Sequence, residues 1–138
     1  MKMDRLSLKI PGKPEYIKGT RLFIGSLAAN AGFDVEQCDD LKTAVSEACK
    51  NISCHGSSGF SEEYEVVCLL DTDKITVTVT DLSESHQIEK LNKPCKHCPK
   101  EGDLSIFIIR SLVDDIEFGN NNNGLKYITM VKRNDSKN

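Results

Sequence analysis

The stretch DLKTAVSEACKN, residues 40–51, decides the architecture. With one turn added on each side, its apolar positions are Cys38, Leu41, Val45, Ala48 and Ile52, in steps of three, four, three and four. That spacing is the one-face repeat of an amphipathic helix. Asp34 with Gln37 three residues on has the form of a capping box in which Asp takes the Ser/Thr place, so the helix opens there, and Gly56 is placed to close it. Beside the apolar stripe run Glu47, Asn51 and His55 at i, i+4 and i+8, a polar ridge bordering the core along the last turns. Amide and carboxylate oxygens suit Mg²⁺, and a carboxylate can take a hydroxyl proton, so these groups in register suit a metal-bound phosphate. Taken by periodicity alone, such a ridge is more often an ordinary solvated helix face.

Outward from this helix the pattern alternates between strand and helix. On the N-terminal side, RLSLKI (5–10) alternates polar and apolar and stops at Pro11 and Gly12, a half-buried strand. From Pro14, apolar groups at Ile17, Phe23 or Ile24, Leu27, Ala28 and Ala31 mark a helix ended by Gly32. On the C-terminal side, YEVVCLL (64–70), the turn DTDK (71–74) and ITVTVTD (75–81) read as an antiparallel hairpin. Residues 82–102 have no clear periodicity and form a long, lid-like connection. DLSIFIIRSLVDDI (103–116) reads as a helix buried on a wide face, with Asp103 suited to capping it. IEF, the turn GNNNNG (119–124) and LKYITMVKR make a second hairpin. This order predicts an α+β fold, a two-layer sandwich with helices on one face of a mainly antiparallel mixed sheet.

The 138 residues predict a single domain over 1–138, with its core at about 5–133. A net charge of −3 and the lack of any basic block argue against nucleic acid as a partner. Apolar runs such as Val66–Leu70 fall far short of the roughly 20 residues that cross a bilayer, and the first ten residues have no apolar signal core. A cytoplasmic protein with no membrane partner is expected, its six cysteines reduced. Four of them, Cys38, Cys49, Cys54 and Cys68, stand at positions that read as apolar.

The run DLKTAVSEACKN, continued to His55, resembles the N-box of the GHKL ATPase and kinase superfamily, and within it the anti-sigma-factor serine kinases. LKIPGKPEYI (8–17) with Arg21 and Leu22, and IIRSLVDDIEF (108–118), resemble that family's first strand and helix and its final helix and strand. The resemblance implies a Bergerat fold with ATP between helices and sheet under a lid. It implies Glu47 as base on a partner's serine hydroxyl, Asn51 as holder of Mg²⁺ on the phosphates, with His55 following, and Asp81 as acceptor of the adenine amine. It also implies a homodimer that sequesters a sigma factor and phosphorylates an anti-anti-sigma (STAS-type) protein.

Two glycine boxes depart from the family's pattern. Asp81 is followed by LSES, and the second box reads Gly102-Asp103-Leu104-Ser105-Ile106. Glycine lets backbone N–H groups approach phosphate closely and reaches positive φ freely. Ser105 adds bulk and Asp103 negative charge where the phosphates would lie. A second reading follows, a partner-binding anti-sigma module of the same fold that has lost efficient use of ATP. Cys95-Lys96-His97-Cys98 falls inside the lid-like segment. With His86 and His97 it supplies candidate Zn²⁺ ligands; a redox pair and incidental exposed cysteines are the other two readings.

Overall fold

The computed structural model describes residues 3–52, 62–82 and 102–134. Within them the chain runs β1 (Asp4–Pro11), α1 (Pro14–Asn30), α2 (Val35–Asn51), β2 (Glu63–Leu70), β3 (Lys74–Asp81), α3 (Leu104–Leu112), β4 (Asp115–Asn120) and β5 (Lys126–Arg133). The strands form one sheet in the order β1-β2-β3-β5-β4. All four pairings are antiparallel, so the parallel component of the expected mixed sheet does not occur among the described residues. The cause is local: β1 meets β2 and β3 meets β5 running in opposite senses, and the other two pairs are hairpins.

Period two sets which side chains enter the core. On β3, Ile75, Val77 and Val79 are fully buried, while Thr76 and Thr78 point to the opposite face. Ile128 and Met130 on β5 and Val66 and Cys68 on β2 lie across from them on the same face. The helices cover this face: α1 packs on α2 and α2 on α3. Every member of the expected α2 stripe, Cys38, Leu41, Val45, Ala48 and Ile52, is buried.

The helix ends follow their chemistry. Asp34 Oδ1 accepts from the Gln37 amide at 2.8 Å while Gln37 Oε1 accepts from the Asp34 amide at 3.0 Å, a complete capping box. Gly32, at φ +93°, turns the chain out of α1 in a conformation glycine reaches at no steric cost. Helix α2 stops at Asn51, short of the expected Gly56, with Ile52 as its C-cap. The Tyr64 hydroxyl donates to the Cys49 carbonyl at 2.9 Å and the Lys126 ammonium donates to the Ile52 carbonyl, satisfying two carbonyls the last turn leaves open. His55 and Cys54 lie outside the described residues.

Helix α3 is also shorter than the 103–116 reading, because Val113 is extended and the chain enters β4 at Asp115. Lys132 Nζ donates to the Leu112 carbonyl at 2.6 Å and lies 3.4 Å from Asp40 Oδ2, fixing that end of α3 beside α2. The expected wide buried face narrows to Ile106 and Ile109, and Leu104 and Phe107 are 72% and 69% exposed. In a nine-residue helix that packs mainly along α2, one stripe is covered and the rest faces outward. Asp103 holds the N-cap position without a side-chain capping bond.

Candidate functional site

The site assembles where the C-terminal end of α2 meets the N-terminal end of α3 and the end of β3. Glu47 and Asn51 lie one turn apart on the same side of α2, both partly buried. Ser105, the second residue of α3, donates its hydroxyl toward Glu47 Oε2 at 3.4 Å. The carboxylate singled out as a base thus already faces a serine hydroxyl. Asn51 Oδ1 is buried and has no hydrogen-bond partner among the described residues. A buried amide oxygen left this way costs stability unless it finds a partner, and a hard cation that it ligates is such a partner.

Asp81 ends β3 with its side chain on the core face, continuing Ile75, Val77 and Val79, and is 3% exposed. Lys126, 1% exposed, places Nζ 3.7 Å from Asp81 Oδ2 and also donates to the Ile52 carbonyl. Its ammonium therefore joins the negative end of α2 to the carboxylate at the end of β3. A buried charge persists when paired and hydrogen-bonded, and both conditions are met here. Lys126 is the residue that sequence analysis missed. The signal was present, since Lys126, Ile128 and Met130 share one parity in LKYITMVKR and two of the three are core residues.

At the start of α3, Gly102 has φ +95° and nothing within 4 Å of where a Cβ would stand. The glycine is thus required by backbone conformation and not by crowding. Beside it opens a cavity of about 310 Å³ lined by Gly102, Asp103, Leu104, Ile106, Phe107 and Arg110. Arg110 brings a cation to the cavity that also holds Asp103, another residue not singled out from sequence. Of the predicted site residues, the structure brings Glu47, Asn51 and Ser105 together around the end of α2, and Gly102 and Leu104 line the adjoining cavity. Asp81 joins them through Lys126 and Ile52. His55, Cys95 and Cys98 fall outside the described residues, where the Zn²⁺ and redox readings also lie. Among the described residues no cluster of three or more His, Cys, Asp or Glu could hold a metal ion.

Comparison with known proteins fits this geometry. Residues 10–132 match the family described as histidine kinase-like ATPase domain. The chain belongs to that family. This histidine kinase-like ATPase domain is 34% identical to the serine-protein kinase RsbW of Bacillus mycoides (strain KBAB4), over 84% of this chain and 78% of the relative. It is 33% identical to RsbW of Bacillus cereus (strain ATCC 10987 / NRS 248) over the same shares. Part of the chain that carries the RsbU and RsbW domains of Rv1364c from Mycobacterium tuberculosis shares this fold, with a TM-score of 0.64 at 15% identity, covering 94% of this chain and 32% of that one. A chain of the SiaB-SiaC complex from Pseudomonas aeruginosa superposes with a TM-score of 0.59 at 12% identity, covering 92% and 88%. These solved structures bear out the two-layer α+β architecture. The ATPase family implies ATP, with Mg²⁺ as its usual companion, and the unpartnered Asn51 oxygen fits such a cation. No helix among the described residues is long and apolar enough to cross a membrane.

The thiols among the described residues are inert packing groups. Cys38, Cys49 and Cys68 are buried thiols. Burial pushes the Cys49 thiol up to about 12 and the Cys68 thiol up to about 11. Cys38 is raised too, chiefly by burial, with Lys42 nearby pulling the other way. Thiols held neutral in this way are poor nucleophiles and poor metal ligands.

Proposed function

We propose that this chain is an ATP-dependent serine-protein kinase of the anti-sigma type, which sequesters a sigma factor and phosphorylates a serine of an anti-anti-sigma (STAS-type) protein. The observation that carries the reading is the α2 ridge: Glu47 already meets a serine hydroxyl, and one turn on, Asn51 offers a buried oxygen without a partner among the described residues. Asn51 would hold Mg²⁺ on the ATP phosphates, and the ion when bound neutralises charge on the transferred group. Glu47 accepts the proton of the incoming serine, a contribution of about 10²–10⁴ in rate. The open N–H groups at the start of α3, with Gly102 at positive φ, provide a cradle for phosphate oxygens. Asp81, fixed by Lys126, is the acceptor for the base amine. Phosphoryl transfer asks the protein mainly for alignment and electrostatic support, and these residues supply both.

The family's habits make a cytoplasmic homodimer the working assembly. The departures in the glycine boxes favour the second reading, in which the chain captures its sigma factor but turns over slowly. Asp103 places a carboxylate in the cavity beside the phosphate cradle, and Arg110 in the same cavity offsets it. One experiment separates the two. The purified chain is incubated with Mg·ATP and a STAS-domain anti-anti-sigma protein from the same genome, and phosphoserine is measured on that protein. Phosphoserine that disappears in Glu47→Ala supports the kinase. Sigma capture that survives in Glu47→Ala, with no phosphoserine from the unaltered chain, leaves the binding module.

A further inference from the structure

The serine that faces Glu47 in this structure belongs to the chain itself. Ser105 Oγ lies 3.4 Å from Glu47 Oε2, across a gap between two helices separated by more than fifty residues of sequence. Proton-transfer contacts in ligand-free sites are often this long and tighten when substrate enters. Ser105 is the second residue of α3, is partly exposed and faces α2, while its neighbours Asp103, Leu104 and Ile106 line the cavity at that helix's start. It therefore has an acceptor hydroxyl, a base for its proton and a place next to the proposed phosphate cradle.

We propose that Ser105 is an intramolecular phosphoryl acceptor, a self-modification site that closes the kinase centre. The inference rests on the kinase reading above. A lone pair of Ser105 Oγ attacks the γ-phosphorus of ATP, and the bond from that phosphorus to the β,γ-bridging oxygen breaks. ADP leaves with that electron pair, and the Oγ proton passes to Glu47 and on to water. The product is favoured and opposed by identifiable groups. A phosphate on the second residue of a helix meets free backbone N–H groups and the positive end of the helix dipole. Glu47 and Asp103 repel it, so the modified side chain turns away from Glu47 toward the α3 terminus. Placed there, it occupies the cradle that nucleotide phosphates need, and transfer to a protein partner falls.

The test uses the full chain alone with Mg·ATP, followed by intact-mass and peptide mass spectrometry. One phosphate located on Ser105 is expected, with a rate per molecule that does not change with protein concentration. Glu47→Gln should slow its appearance by about 10²-fold or more. Ser105→Thr, which keeps a hydroxyl, should still be phosphorylated, whereas Ser105→Ala should not. A parallel reaction contains the STAS-domain protein. Phosphate on that protein with none on Ser105 overturns this inference and leaves the kinase reading standing, while phosphate on neither overturns both. Phosphate on Ser105 at a rate that climbs with concentration overturns the intramolecular step.

Discussion

Replacing Asn51 with Leu should make the protein more stable and useless. Asn51 Oδ1 is buried and unpartnered among the described residues. An unsatisfied buried polar atom costs about 1–3 kcal/mol, which an apolar group of similar size does not incur. Leu is also the better helix former, by up to about 0.5 kcal/mol in the last turn of α2. For a chain of this length, a gain of about 1–3 kcal/mol corresponds to a rise in Tm of roughly 3–10 °C. The measurement is thermal unfolding by circular dichroism, with and without Mg·ADP. The unaltered chain should gain about 2–3 kcal/mol from nucleotide held at a hundredfold excess over its Kd. Asn51→Leu should start from a higher Tm and gain little. A lower Tm for the ligand-free variant would show that Oδ1 serves the fold, and the functional argument from its isolation would fail. An undiminished Mg·ADP shift would remove Asn51 from the cation site.

Other expectations are checked more briefly. Glu47→Gln should lower phosphotransfer by about 10²–10⁴-fold while leaving Mg·ADP affinity within a few-fold by calorimetry, because the carboxylate takes a proton and does not hold the nucleotide. Tyr64→Phe removes the donor to the Cys49 carbonyl and should cost about 1–3 kcal/mol in urea unfolding, with some loss of nucleotide affinity as the end of α2 loosens. Gly102→Ala should cost about 1–2 kcal/mol through its positive φ, since the added methyl meets no neighbour. The raised thiols of Cys49 and Cys68 stabilise the fold fully below their ordinary value of 9.0, and that stability is lost as pH rises toward about 11–12. Tm should therefore fall through that alkaline window, and Cys49→Ala with Cys68→Ala should flatten the fall.

Much of the framework was legible from residue spacing. The capping box at Asp34 and Gln37, the buried stripe of α2 and the period-two run ITVTVTD depend on contacts within a few residues, so sequence carries them directly. The lengths of α2 and α3 were less legible. They end where carbonyls are taken by Tyr64, Lys126 and Lys132, donors from distant strands that no local pattern announces. The same limit applies to the site. Glu47 and Asn51 could be paired from their spacing on one helix, but Ser105 meets Glu47 only because α3 packs against α2.

By itself, the sequence determined the elements, their buried faces and the α2 ridge, because helix and strand periodicity are short-range properties of the chain. Tertiary structure alone decided that Lys126 would lie between Ile52 and Asp81, and that a serine of α3 would confront the carboxylate of α2. The physical reason is that charge pairing and proton-transfer contacts act between atoms a few ångströms apart, and folding, not sequence distance, sets which atoms those are.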